Sequence, residues 1–183
     1  MNKTAAILTT LALSLSLAAC GNGNDDKKDD KNENKTEKSV DKSDNSKKSA
    51  VGFKDDTLTI EQGIIKLKKS EIVDTSEGKS IVITFDYTNK GDEPQEAFLV
   101  FLACFNLTQE DDTAVHDLET AVGLYDVEGY NQLDKNVSLS IKPGKTIEGA
   151  VAYTLKDDKS DVTLTATQGA MGDKLGTKTY KIK

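Results

Sequence analysis

The sequence predicts an all-β fold, one sandwich of seven or eight strands, and three observations carry that prediction. Apolar residues recur with a period of two, the repeat that lines one face of a strand. Signals rich in Gly, Pro, Asn and Asp separate the alternating runs. The three- and four-residue spacing of a helix is sustained nowhere along the 183 residues.

The first element is not part of that sandwich. Lys3 is the only charge before Cys20, and residues 5–19 are Ala, Leu, Ile, Thr and Ser. A short basic start followed by an apolar stretch is the pattern of a secretory signal, and it is shorter than a spanning helix needs. Leu17-Ala18-Ala19-Cys20 has the form of a lipobox: a branched apolar residue, two small residues that a peptidase can grip, and a cysteine. The thiolate of Cys20 is then the nucleophile that takes up a diacylglyceryl group as a thioether. Residues 1–19 are read as a lipoprotein signal peptide and Cys20 as the lipidated first residue of the mature chain. A single acyl chain binds a bilayer only marginally, whereas two or three give stable residence. The expected location is the outer face of the cell membrane.

Residues 20–49 form the second element. From Gly21 to Ser49 eight lysines balance eight acids, and Val40 is the only large apolar residue. Such a stretch cannot bury enough surface to offset its ordering entropy and reads as a disordered, neutral tether. As a flexible coil its mean reach is about 30 Å. It contains Ser39-Val40-Asp41-Lys42, formally the S-x-x-K of penicillin-binding proteins, and Ser76-Glu77-Gly78-Lys79 repeats the spacing in a turn. Neither is read as a site, because that chemistry needs a rigid buried helix to set lysine against serine.

Residues 50–183 are the globular domain, long enough for a single core. Strands are predicted at Leu58–Ile60, Ile64–Val73 and Ser80–Thr88, the last with Ile81, Ile83, Phe85 and Tyr87 on one face. Asn89-Lys90-Gly91-Asp92 closes it. Ala97–Leu107 is apolar on both faces and reads as a central strand covered on each side, with a buried helix as the alternative. Strands follow at Val137–Ile141, Ile147–Leu155, Asp161–Thr167 and Lys178–Ile182, with Lys142-Pro143-Gly144 suited to a type II turn.

Three stretches, "IVITFDYTNKGDEPQEA", "LETAV" and "IKPGKTIEGAVAYTLKDDKSDVTLTA", resemble a family of Gram-positive extracellular lipoproteins. The likeness runs from Leu58 to Lys183. It implies an immunoglobulin-like sandwich and a surface location, and it supplies no catalytic residue. The domain has no Trp and no second cysteine to pair with Cys104, which separates it from antibody-type domains.

Composition narrows the function. The domain lacks Arg and sets 15 lysines against 23 acids, so nucleic acid is not an expected partner. Between Lys90 and Lys135 the only basic group is His116, while eleven acids fall in the same span. Glu110, Asp111, Asp112, Asp117, Glu119, Asp126 and Glu128 are the candidate binding acids, and Tyr125 and Tyr130 the amphipathic contacts beside them. Gathered at one end of a sandwich they would attract a cationic peptide or an envelope protein. Calcium is another reading of clustered carboxylates, although no EF-hand loop is present. Cys104, His116 and Met171 suggest copper, but a blue-copper site needs two histidines and this chain has one. No metal or other cofactor is expected.

The chain is not expected to be an enzyme: G-x-S-x-G, H-E-x-x-H and phosphate-cradling glycine loops are absent. The expected function is a non-catalytic binding or interaction module on an acidic loop face. The alternatives are a carboxylate-dependent enzyme acting on cell-wall polymer, or a passive structural or solute-binding envelope lipoprotein.

Overall fold

The computed structural model of the chain describes residues 50–182. The signal peptide, Cys20, the tether and the first S-x-x-K spacing lie outside them. Among the described residues no helix is long and apolar enough to cross a membrane.

Two antiparallel sheets stack into a sandwich. One contains β1 (Gly52–Lys54), β2 (Thr57–Ile60), β3 (Gly63–Thr75), β4 (Gly78–Asn89) and β9 (Thr146–Thr154), in that order. The other has the order β11 (Lys174–Tyr180), β10 (Val162–Thr167), β6 (Phe105–Glu110), β7 (Val115–Asp117). A two-residue pair, β5 (Gln95–Glu96) with β8 (Ser140–Ile141), stands apart. Strands β3, β4 and β9 take the places of A, B and E in an immunoglobulin-like domain, and β6, β10 and β11 those of C, F and G. Among the described residues seven strands span four residues or more, and the rest are short edge pairings.

Period-two patterning explains the core. Ile81, Ile83, Phe85 and Tyr87 of β4 meet Leu107, Val162 and Leu164 of the facing sheet in one buried cluster. Two buried amides secure the ends. Asn89 donates to the carbonyls of Glu93 (2.8 Å) and Ile141 (2.7 Å) and accepts from the Gly91 amide. At the other end Gln109 donates to the Ser160 carbonyl (2.7 Å) and accepts from the Lys156 amide (2.7 Å). The Lys142–Lys145 turn is closed by a bond from the Lys145 amide to the Lys142 carbonyl, with Gly144 at φ 73° as a type II turn requires.

Two predicted strands are corrected. Ala97–Leu107 is not one strand: residues Ala97–Cys104 form helix α1, and β6 starts at Phe105. Ala97, Phe101 and Cys104 bury a helical stripe, and the Phe101 ring lies 4.7 Å from those of Phe85 and Phe105. A run apolar on every side has no period to distinguish helix from strand. Helix wins here because the segment fills the space beside the sheets rather than pairing within one. Val137–Ile141 is likewise split, since Val137 ends helix α2 (Asn131–Val137) and only Ser140–Ile141 is extended.

Strand β3 outruns its neighbour. β2 accompanies it only from Gly63 to Lys66, after which the pairing with β4 shifts register between Leu67 and Ser70. From Ser70 to Thr75 it pairs with β4 alone among the described residues.

Candidate functional site

After β7 the chain does not return directly to the sandwich. Leu118 is buried, and the next three residues run along the open edge of β9: the Thr154 amide donates to the Glu119 carbonyl (2.9 Å) and the Ala121 amide to the Ala152 carbonyl (2.8 Å). The Val122 amide then reaches Glu77 Oε2 (3.0 Å), and Gly123, at φ 88°, turns the chain over the outer face of the five-stranded sheet. A 3-10 turn, Leu124–Asp126, drives Leu124 into a second cluster with Val82, Tyr130, Ala150 and Ala152. The Tyr130 hydroxyl donates to Glu71, and the Lys69 ammonium lies 5.6 Å from the centre of its ring. Helix α2 then returns along β9. Asn136 donates to the Glu148 carbonyl (2.9 Å), and Val137 packs where any Cβ on Gly149 would stand 2.2 Å from its Cγ1.

This strap, residues 118–139, leaves a cleft of about 280 Å³. Ala150, Val151 and Ala152 of β9 line it on one side, and Phe98, Val122, Tyr125, Asp134 and Val137 are among its other walls. Desolvation raises the Asp134 carboxyl above the ordinary aspartate value, against a smaller opposing effect of Lys135. Tyr125 is 53% exposed at the mouth, whereas Tyr130 is buried. The two tyrosines of this loop therefore have opposite fates: one packs down and one is presented.

The candidate acids fall on two separate elements. Asp126 and Glu128 are exposed on the strap beside Tyr125. Glu110, Asp111 and Asp112 lie at the β6–β7 turn, with Asp117 on β7 and Glu119 where the strap begins. Asp111 is committed locally. Its Oδ2 is 2.8 Å from His116 Nε2, and its Oδ1 accepts from the amides of Thr113 (2.7 Å) and Ala114 (2.8 Å). Those bonds, His116 first, hold its carboxyl down at about 2. Asp117 accepts from Asn106 (2.9 Å). Among the described residues no three His, Cys, Asp or Glu side chains are placed to hold a metal ion. Cys104 is buried at the end of α1 with its thiol pushed up by desolvation, Met171 is in the β10–β11 turn, and His116 is on β7 across the small sheet. The second S-x-x-K spacing sits across the β3–β4 turn.

Sequence reasoning did not single out Asp134, Phe98 or the two alanines. A signal existed in "GAVAYT": the face opposite Val151 and Tyr153 is Ala150 and Ala152, small residues that suit a face covered by another segment.

An immunoglobulin-like sandwich whose E strand is overlaid by a helical strap is thus the class of molecule this chain represents. Residues 36–168 match the family described as a domain of unknown function, DUF5067, and the chain belongs to that family. Among solved structures it is similar to a protein described as a lipoprotein from Staphylococcus aureus, with 24% identity and a TM-score of 0.65, over 73% of this chain and 92% of that one. It is also similar to an Enterococcus faecalis protein, with 19% identity and a TM-score of 0.61, over 73% and 95%. At these identities the likeness is one of fold. No curated protein matches the sequence.

Proposed function

We propose that the chain is a membrane-anchored extracellular lipoprotein whose sandwich is a non-catalytic binding module for a cationic peptide or a cationic segment of an envelope protein. Anchoring is supported by the Leu17–Cys20 lipobox and by the description of the Staphylococcus aureus relative as a lipoprotein. The observation that carries the binding role is the cleft at the strap: a largely apolar lining from β9, Phe98 and Val137, one desolvated carboxyl at Asp134, and the exposed Tyr125. A lysine or arginine side chain has the matching form, an apolar stem for the β9 and Val137 lining and a charged head for Asp134. Asp126 and Glu128 on the strap, and the acids from Glu110 to Glu119, supply the longer-range attraction.

The test is photo-crosslinking on living cells with a probe at Tyr125, followed by mass spectrometry. A discrete cationic partner is expected, lost in Asp134→Asn and weakened when Asp111, Asp112, Asp117 and Glu119 become amides. Equal capture by the wild type and Asp134→Asn overturns the cleft as the contact. Hydrolysis of purified wall fragments by the wild-type protein would overturn the non-catalytic reading.

A further inference from the structure

Five large apolar side chains converge on one end of the sandwich without being buried. On α1, Leu99 is 58% exposed and Leu102 is also open to solvent. Leu99 lines a groove of about 410 Å³ with Ile60, Gln62, Ala103, Ser140 and Gly169. Exposed Leu139 adjoins Ser140, and Met171, wholly exposed, stands two residues beyond Gly169 in the β10–β11 turn. Val51 precedes Gly52, which pairs with Thr59 at the same end. The opposite end is unlike this: its loops carry Asp111, Asp112, Asp157 and Asp158, with Val115 the exposed apolar residue of the β6–β7 hairpin.

The chain itself points to what covers the apolar end. Residue 50, where the described chain starts, enters β1 here, and only 29 residues separate it from Cys20. Fully extended they reach at most about 100 Å. A lipid at Cys20 therefore pulls on the domain from its apolar end.

We propose that this end is an interfacial docking surface for the lipid bilayer, with Leu99, Leu102, Leu139, Met171 and Val51 entering the headgroup layer. The proposal rests on the anchoring of Cys20 argued above and goes beyond it. Anchoring restricts distance, whereas docking fixes orientation, with the acidic end directed away from the membrane. Burial of apolar side chains is the driving term. Lys90, Lys142 and Lys145 are interspersed at this end with Glu61, Asp92 and Glu93, so no net positive field is offered to anionic lipid. The contact is accordingly insensitive to salt.

The experiment uses the full-length mature chain, lipidated at Cys20, in vesicles of phosphatidylglycerol and phosphatidylcholine. An environment-sensitive fluorophore is placed by Met171→Cys and, as a control, by Val115→Cys. Quenching by lipids with a shallow doxyl group is expected to be several-fold stronger at 171 than at 115. It should survive high salt and be strongly weakened in Leu99→Asp, at the more exposed of the two helix positions. Equal quenching at the two positions, with the protein still sedimenting with vesicles, overturns docking and leaves anchoring standing. Failure to sediment overturns anchoring and docking together. Energy transfer between labelled copies that persists in detergent would make this end a dimer surface and overturn the proposal.

Discussion

On β4 the inner face carries Ile81, Ile83, Phe85 and Tyr87, while the outer face, offset by one residue, carries Val82, Thr84, Asp86 and Thr88. The inner set meets a whole second sheet. The outer set meets the strap where Val82 lies beside Ala150 and Ala152 of β9, and Thr84 is buried, its hydroxyl bonded to the Lys69 backbone on β3. Farther along, the outer face looks after itself. Lys68 reaches both Asp86 (3.5 Å) and Glu148 (2.6 Å) across three strands, and the Thr88 and Thr146 hydroxyls are 2.8 Å apart. The contrast teaches where a cover is needed. The apolar side chains of the strap sit where the outer face is apolar, and the ion pairs beyond them keep contact with water.

This division gives an order of effects. Phe85→Ala should cost most, about 3–5 kcal/mol, because the ring sits in the cluster that joins both sheets; urea unfolding would measure it. Leu124→Ala empties the smaller cluster, which can partly collapse, so the cost should be about 2 kcal/mol. Its exchange signature is the sharper readout: strap amides should lose protection while those of β10 keep theirs. If both variants unfold the protein with one common protection profile, the two faces are a single cooperative unit and the comparison fails.

Tyr130→Phe removes the bond that ties the strap to β3. Glu71 is partly exposed, so about 1 kcal/mol is expected. The Tyr130 hydroxyl is the first cause of the lowered Glu71 value. Stability from a depressed carboxyl is fully present above the unfolded value of about 4.3 and disappears as pH falls through the folded one. Acid melts of the wild type should show that loss, and Tyr130→Phe should flatten it. The smallest effect should come from Asp134→Asn, with the opposite sign. A carboxyl raised by desolvation destabilises the fold above its folded value and carries no penalty below the unfolded value of about 3.9. The variant should melt slightly higher than the wild type at pH 7 and together with it at pH 3. A lower melt at pH 7 would mean that the cleft holds Asp134 by bonds rather than merely excluding water from it.

Legibility in the sequence followed the same line. Strands with a wet face and a dry face announced themselves by alternation, and β3, β4, β9 and β10 stand close to where the pattern puts them. Helix α1 did not, because eight apolar residues have no polar face. Its buried stripe, Ala97, Phe101 and Cys104, has helical spacing, but Leu99 and Leu102 obscure it. Helix α2 carries Leu133 and Val137 as its only apolar residues, too few to show a period. The acids were visible as a charge run, but one dimension could not divide them between the β6–β7 hairpin and the strap. Nor could it show that Asp111 is occupied by its own turn or that Asp134 lines a cleft. Tyr125 and Tyr130, five residues apart, read alike in the sequence and differ because Tyr130 packs with Val82 and Leu124 and finds Glu71 and Lys69 beside it.

The unaccompanied half of β3 has a consequence for how two copies of the protein meet. An open strand is a template for a neighbour's strand. Here the offset at Lys68 and Lys69 breaks the straight line a second strand would have to follow, and the charges of Lys69, Glu71 and Asp74 would have to lose water to be matched. An irregular, charged margin of this kind disfavours addition of a second copy's strand at that edge.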